Sequence, residues 1–146
     1  MLSLPPIHVL LLIAGVKAAF LTELGPKLLD RPAVLVGLVP LAVGIWLLVS
    51  ARHAFARART TVMTFDPPTR LVTSGPFSFT RNPMYLGFLL VLLGAALLAG
   101  YAVGFLAPLI FFVLAQAWYI PFEERAAAAA FGGDYDRYRA ATRRWL

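Results

Sequence analysis

Residues 84–120, MYLGFLLVLLGAALLAGYAVGFLAPLIFFVLAQAWYI, contain no Asp, Glu, Lys, Arg or His. At 1.5 Å per residue a single helix of this length would measure roughly 55 Å, against a hydrocarbon core of about 30 Å. The stretch therefore predicts two membrane spans, about 84–99 and 101–120, folded back on each other at Gly100-Tyr101. Glycine supplies the backbone freedom of the turn, and tyrosine suits a membrane interface.

Upstream, 33–51 is uncharged and contains Pro40 and Gly44, both tolerated in a transmembrane helix whose neighbours satisfy the freed backbone groups. Residues 7–24 are mostly apolar but carry Lys17 and Glu23. They form the weakest span, and the lack of a basic start and of a small-residue cleavage site argues against a removable signal peptide. The fold class expected is all-α: one domain over 1–146, an integral membrane bundle of four transmembrane helices with a C-terminal helical tail.

Composition agrees. Of 146 residues 60% are hydrophobic and 14% charged, whereas ordinary soluble domains have roughly 45–50% and about 25%. A soluble monomer of this size cannot hide that much apolar surface. The chain has no cysteine and two histidines, His8 and His53, so disulfides and thiolate chemistry are excluded and no metal site is expected. The net charge of +6 sits between apolar runs, which points to membrane lipids as partners and not to nucleic acid. Five arginines lie in 52–81 and five in 121–146, with none at the Gly100 turn. The positive-inside rule then places the loop 52–83, the tail 121–146 and both termini in the cytoplasm.

The loop runs through Thr69-Arg70-Leu71-Val72-Thr73-Ser74-Gly75-Pro76-Phe77 into Arg81-Asn82-Pro83-Met84-Tyr85. Asn82 is a good N-cap and Pro83 a good first helical residue. Free N–H groups there suit an anion, with Arg81 beside them. The same residues also suit a plain helix start anchored to lipid phosphates. Folding the hairpin brings this point near Glu123 and Glu124, the start of a tail helix opening at Pro121, where carboxylates complement the positive end of the dipole. One of these adjacent glutamates can face the bundle while the other meets water. Phe131-Gly132-Gly133 stops that helix, Asp134 can cap a last one, and Tyr135, Tyr138 and Trp145 suit an interface or a pocket lid.

Taken together, Leu71–Phe77, Arg81–Gly87 and Glu123-Glu124-Arg125, with Tyr135, Tyr138 and Arg144-Trp145 behind, resemble the isoprenylcysteine carboxyl methyltransferase and phospholipid methyltransferase family of integral membrane enzymes. The resemblance implies an S-adenosylmethionine cofactor bound on the cytoplasmic side by Thr69, Arg70, Leu71, Val72, Phe77, Asn82, Pro83, Tyr85 and Glu123, with Arg81 adjoining. It also implies transfer of a methyl group to a lipophilic or lipid-linked acceptor: an isoprenylcysteine-like carboxylate, a phospholipid amine or another membrane-soluble molecule. Two positions depart from the family. Asn82 stands where His is common, and Tyr119 stands where carboxyl methyltransferases have Arg, four residues before the glutamate. An amine or hydroxyl acceptor needs a group to take its proton, and Tyr119 and Glu124 are the catalytic candidates beside Glu123. The competing readings are an NADPH-dependent membrane reductase resembling the sterol reductases and a non-enzymatic four-helix protein that binds anionic lipid.

Overall fold

The Gly100 turn forms where expected in the computed structural model, which describes residues 5–60 and 69–146. Part of the expected loop, 61–68, lies outside the described residues. The described residues are helical, with no strand: α1 Pro5–Leu21, α2 Leu38–Ala58, α3 Pro83–Ala99, α4 Leu106–Leu114, α5 Ile120–Phe131 and α6 Gly133–Ala141. Gly100 ends α3 with φ +76°, and a Cβ there would lie 2.6 Å from the Leu29 carbonyl oxygen. Only glycine meets both demands. The same turn accepts the Leu28 and Leu29 amides on its Gly100 carbonyl at 2.7 and 3.2 Å, which ties the 25–32 connection to it.

The helix expected as the second span is longer than the sequence suggests. A 3₁₀ turn, Ala33–Gly37, runs without a break into α2, so Pro40 lies inside a continuous helix near the change from 3₁₀ to α geometry. The helix then continues to Ala58, and residues 52–58, expected in the loop, form its last turns. The tail differs as well. Helix is unbroken from Ala102 to Phe131, so Pro121 does not open a new helix and Glu123 and Glu124 do not sit at a free dipole end. A π-helical segment, Ala115–Tyr119, precedes the proline. Its widened turn lets the chain carry a residue that has no N–H and whose ring crowds the preceding turn. Gly132, with φ +52°, does stop this helix. Asp134 lies in the first turn of α6 instead of capping it, and pairs with Arg137.

Two apolar helices, Ala33–Ala58 and Ala102–Phe131, are long enough to cross a membrane, and α1 and α3 are shorter apolar helices. α3 is apolar all round and is the central element: none of its residues is exposed. Val9 and Val16 of α1, and Tyr85, Leu92 and Ala99 of α3, recur at seven-residue spacing and pack on Ala107, Phe111, Ala115 and Tyr119 of the last long helix. By contrast, Leu10, Leu11, Val39, Val43, Trp46, Leu109 and Val113 are exposed on the outside of the bundle, as a lipid-facing surface requires.

α2 and α3 meet backbone to backbone. A Cβ at Gly37 would lie 2.7 Å from the Gly94 carbonyl oxygen, and one at Gly44 the same distance from that of Gly87. The pairing is antiparallel and reciprocal, one glycine pair every two turns, and small residues at such spacing are what lets helices approach in lipid. Gly44→Ala must push the helices apart and is expected to cost about 1–3 kcal/mol. Gly15→Ala, where a Cβ meets nothing within 4 Å, is expected to leave stability unchanged or slightly raised. Thermal unfolding of the detergent-solubilised variants checks both; equal melting of the two would contradict the packing described.

Candidate functional site

The start of α3 and the first turns of α5 lie side by side because α3 and the last helix form a hairpin. Here Glu123 and Glu124 separate. Glu123 accepts a hydrogen bond from the Tyr85 hydroxyl at 2.8 Å. Glu124 turns to two guanidinium groups: Arg81 Nη2 at 2.9 Å and Arg144, through Nε at 3.1 Å and Nη2 at 2.5 Å. Burial pushes the Glu124 carboxyl up, but the hydrogen bonds and charges of Arg144 and Arg81 outweigh it and hold its pKa below the usual carboxylate range.

Arg81 also donates to the carbonyls of Arg139 at 3.0 Å and Thr142 at 2.6 Å. Further bonds continue the strap. The Arg81 amide donates to the Arg143 carbonyl at 2.8 Å, and the Thr80 hydroxyl and Asn82 Nδ2 donate to that of Arg144 at 3.1 and 2.9 Å. Trp145 Nε1 closes the segment on Gln116 Oε1 at 2.9 Å. Asn82 therefore precedes the helix without capping it through its side chain. The Arg81 amide and Nη1 and the Asn82 side-chain amide, all at the start of α3, are engaged by C-terminal carbonyls. Arg81 Nε is buried and has no hydrogen-bond partner among the described residues.

Beside this junction lies a cavity of about 200 Å³. Of the residues singled out in the sequence, Arg70, Leu71, Val72, Phe77, Arg81, Asn82, Pro83, Tyr85, Glu123 and Glu124 line it. Two do not. Thr69 is exposed and its hydroxyl lies 2.8 Å from that of Thr60. Tyr119 is buried behind the lining, its ring stacked on Tyr85 at 5.9 Å between centroids and 15° between planes. The remaining wall was less legible. Phe55 comes from α2 and contacts Phe77 edge to face at 5.0 Å. Pro5 and Pro6 come from α1, and Ala126, Ala127 and Phe131 from α5. The α5 set has a sequence signal, since 123, 126, 127 and 131 share one helical face. Tyr135 and Tyr138 close the cavity, as aromatics of the tail suggest. The Tyr138 hydroxyl, pushed well up mainly by burial, donates to the Phe77 carbonyl at 2.7 Å and pins α6 to the 75–78 turn.

The arrangement offers a carboxylate and an aromatic face for positive charge, a buried guanidinium nitrogen for negative charge, and apolar walls between them. Among the described residues no group of three or more His, Cys, Asp or Glu is placed to hold a metal ion.

A family model described as phospholipid methyltransferase matches residues 32–134. A protein of Haemophilus influenzae described as uncharacterized is 38% identical over 63 residues, which is 43% of this chain and all of that protein. No solved structure matches. The family match covers well over half of the sequence and takes in every helix from α2 to α5, so the chain belongs to the phospholipid methyltransferase family.

Proposed function

We propose that this member of a family of membrane methyltransferases uses S-adenosylmethionine to methylate a lipophilic acceptor. In this reading all of 1–146 is one domain with four spans, formed by α1, by 33–51, by α3 and by 101–120. Both termini and the cavity face the cytoplasm, where the arginines of 52–81 and 121–146 lie. The observation that carries the reading is the convergence of Glu123, Tyr85 and Arg81 on one cavity at the basic end of the bundle.

The residues fit the cofactor in kind. A carboxylate and a tyrosine ring suit its amino, ribose and sulfonium groups, and the unpartnered Arg81 Nε suits its carboxylate. Leu71, Val72 and Phe77 form an apolar wall suited to a base. When bound, S-adenosylmethionine supplies a methyl group on a positively charged sulfur, open to in-line attack by a nucleophile. The chain's own contribution is placement and exclusion of water. Glu124 holds Arg81 and Arg144, and in so doing keeps the tail across the junction. With its oxygens bound by two guanidinium groups it is poorly suited to act as a base, and Tyr119 lies behind Tyr85. We assign both to holding the site in shape. The acceptor approaches past Pro5, Pro6 and Phe88, where the lining is apolar.

Proteoliposomes containing the full chain and methyl-labelled S-adenosylmethionine test this. Label is expected in the organic phase of a lipid extract, in proportion to protein. Absence of transfer to any lipid fraction from the source membrane, with NADPH consumed instead, would replace the reading by a reductase.

A further inference from the structure

α1 precedes the family match, which begins at residue 32, yet it reaches the site. Its half-buried His8 places Nδ1 2.7 Å from the Tyr119 hydroxyl, with the two rings edge to face at 6.0 Å. Tyr119 belongs to the π-helical segment, stacks on Tyr85, and is 4% exposed. Tyr85 in turn donates to Glu123. The four side chains, from three helices, make one continuous chain of contacts ending on the carboxylate of the cavity.

This is a costly way to fill a core. Tyr119 belongs to a buried, mostly apolar cluster that also holds Val9, Ala115 and Ile120, where a phenylalanine at 119 would pack as well without a polar group. A buried hydroxyl needs a partner, and His8 provides it. The hydrogen bond restricts the Tyr119 ring, and a restricted ring restricts the one stacked on it.

We propose that His8 is a positioning residue of the methyl-transfer site: through Tyr119 it fixes the Tyr85 ring and so the Tyr85–Glu123 hydrogen bond on which cofactor binding depends. The proposal rests on the methyltransferase reading above. α1 is then part of the site and not only a span.

Calorimetric titration of S-adenosylhomocysteine into the full-length, detergent-purified chain tests it, with helix content followed by circular dichroism. His8→Ala and Tyr119→Phe each weaken binding about tenfold, the scale of one buried hydrogen bond. The double variant is no weaker than either single one, because both remove the same bond. His8→Asn, whose Oδ1 lies near the place of Nδ1, restores binding to within about threefold of wild type; a loss of core packing alone would show no such rescue. If His8→Ala does not fold, Tyr119→Phe, which keeps the stacked ring, carries the test against wild type. Wild-type affinity in Tyr119→Phe, multiplying losses in the double variant, or failure of His8→Asn to rescue would each overturn the proposal. Wild type that binds no S-adenosylhomocysteine overturns instead the methyltransferase reading, and the proposal with it.

Discussion

Glu123→Ala is expected to weaken S-adenosylhomocysteine binding by about 10- to 150-fold while leaving the chain folded. Glu123 lies on the face of α5 that lines the cavity, four residues beyond Tyr119, and its Oε1 takes the Tyr85 hydroxyl. Removing it deletes the charged acceptor proposed for the cofactor and releases Tyr85, the ring proposed to lie against the sulfur. Hydrogen bonds to a charged group contribute about 1.5–3 kcal/mol, which is that range of affinity. Glu123→Gln keeps an acceptor oxygen without the charge and should fall between. Calorimetry on the three proteins measures the series. Equal affinities throughout would remove Glu123 from the site.

Glu124→Ala should act on stability. It strips the shared partner from Arg81 and Arg144, whose side chains are 11% and 33% exposed. Removing one partner of a buried ion pair costs about 3–5 kcal/mol, and the partial exposure of Arg144 argues for the low end, about 3 kcal/mol. The C-terminal segment from Arg139 to Trp145 should loosen first, since its carbonyls are held by the same Arg81. Limited proteolysis then cuts the tail of the variant at protease levels that spare wild type, and thermal unfolding falls. Acid should imitate the substitution. The folded-state pKa of Glu124 is depressed, so its contribution is complete above the unfolded value of about 4.3 and is lost as pH falls below it through the folded value. Wild type should lose protection of its tail across that acidic window, and Glu124→Ala should show no further loss there. A tail equally protected in both proteins at pH 7 would contradict the role assigned to the pair.

The division of labour between these neighbours shows where sequence reasoning stops. An uncharged stretch with one Gly-Tyr break specified the hairpin, because length against bilayer thickness admits few solutions. The hairpin alone brought Arg81 and Asn82 near the glutamates, whereas Arg70, Leu71, Val72, Phe77 and Tyr85 were legible only through the family resemblance. How the two glutamates divide their partners, Glu123 with Tyr85 and Glu124 with the arginines, was not legible in the residues themselves, since it depends on the rotation of the last helix. That rotation is reset by the π turn at 115–119, a feature with no periodic signature beyond the nearby Pro121. The strap was hidden for another reason. It uses backbone carbonyls of Arg139, Thr142, Arg143 and Arg144, and every residue type offers a carbonyl. His8 lies 111 positions from its partner, and no local pattern joins them.

The account's central claim is that the cavity between the 70–77 segment, the start of α3 and α5 binds S-adenosylmethionine and its product. Titration of S-adenosylhomocysteine into the wild-type chain in nanodiscs, with NADPH in a parallel cell, tests it most directly. Saturable binding of S-adenosylhomocysteine at one site per chain, with no heat from NADPH, is the predicted result. No binding of S-adenosylhomocysteine, or saturable binding of NADPH alone, would contradict the account.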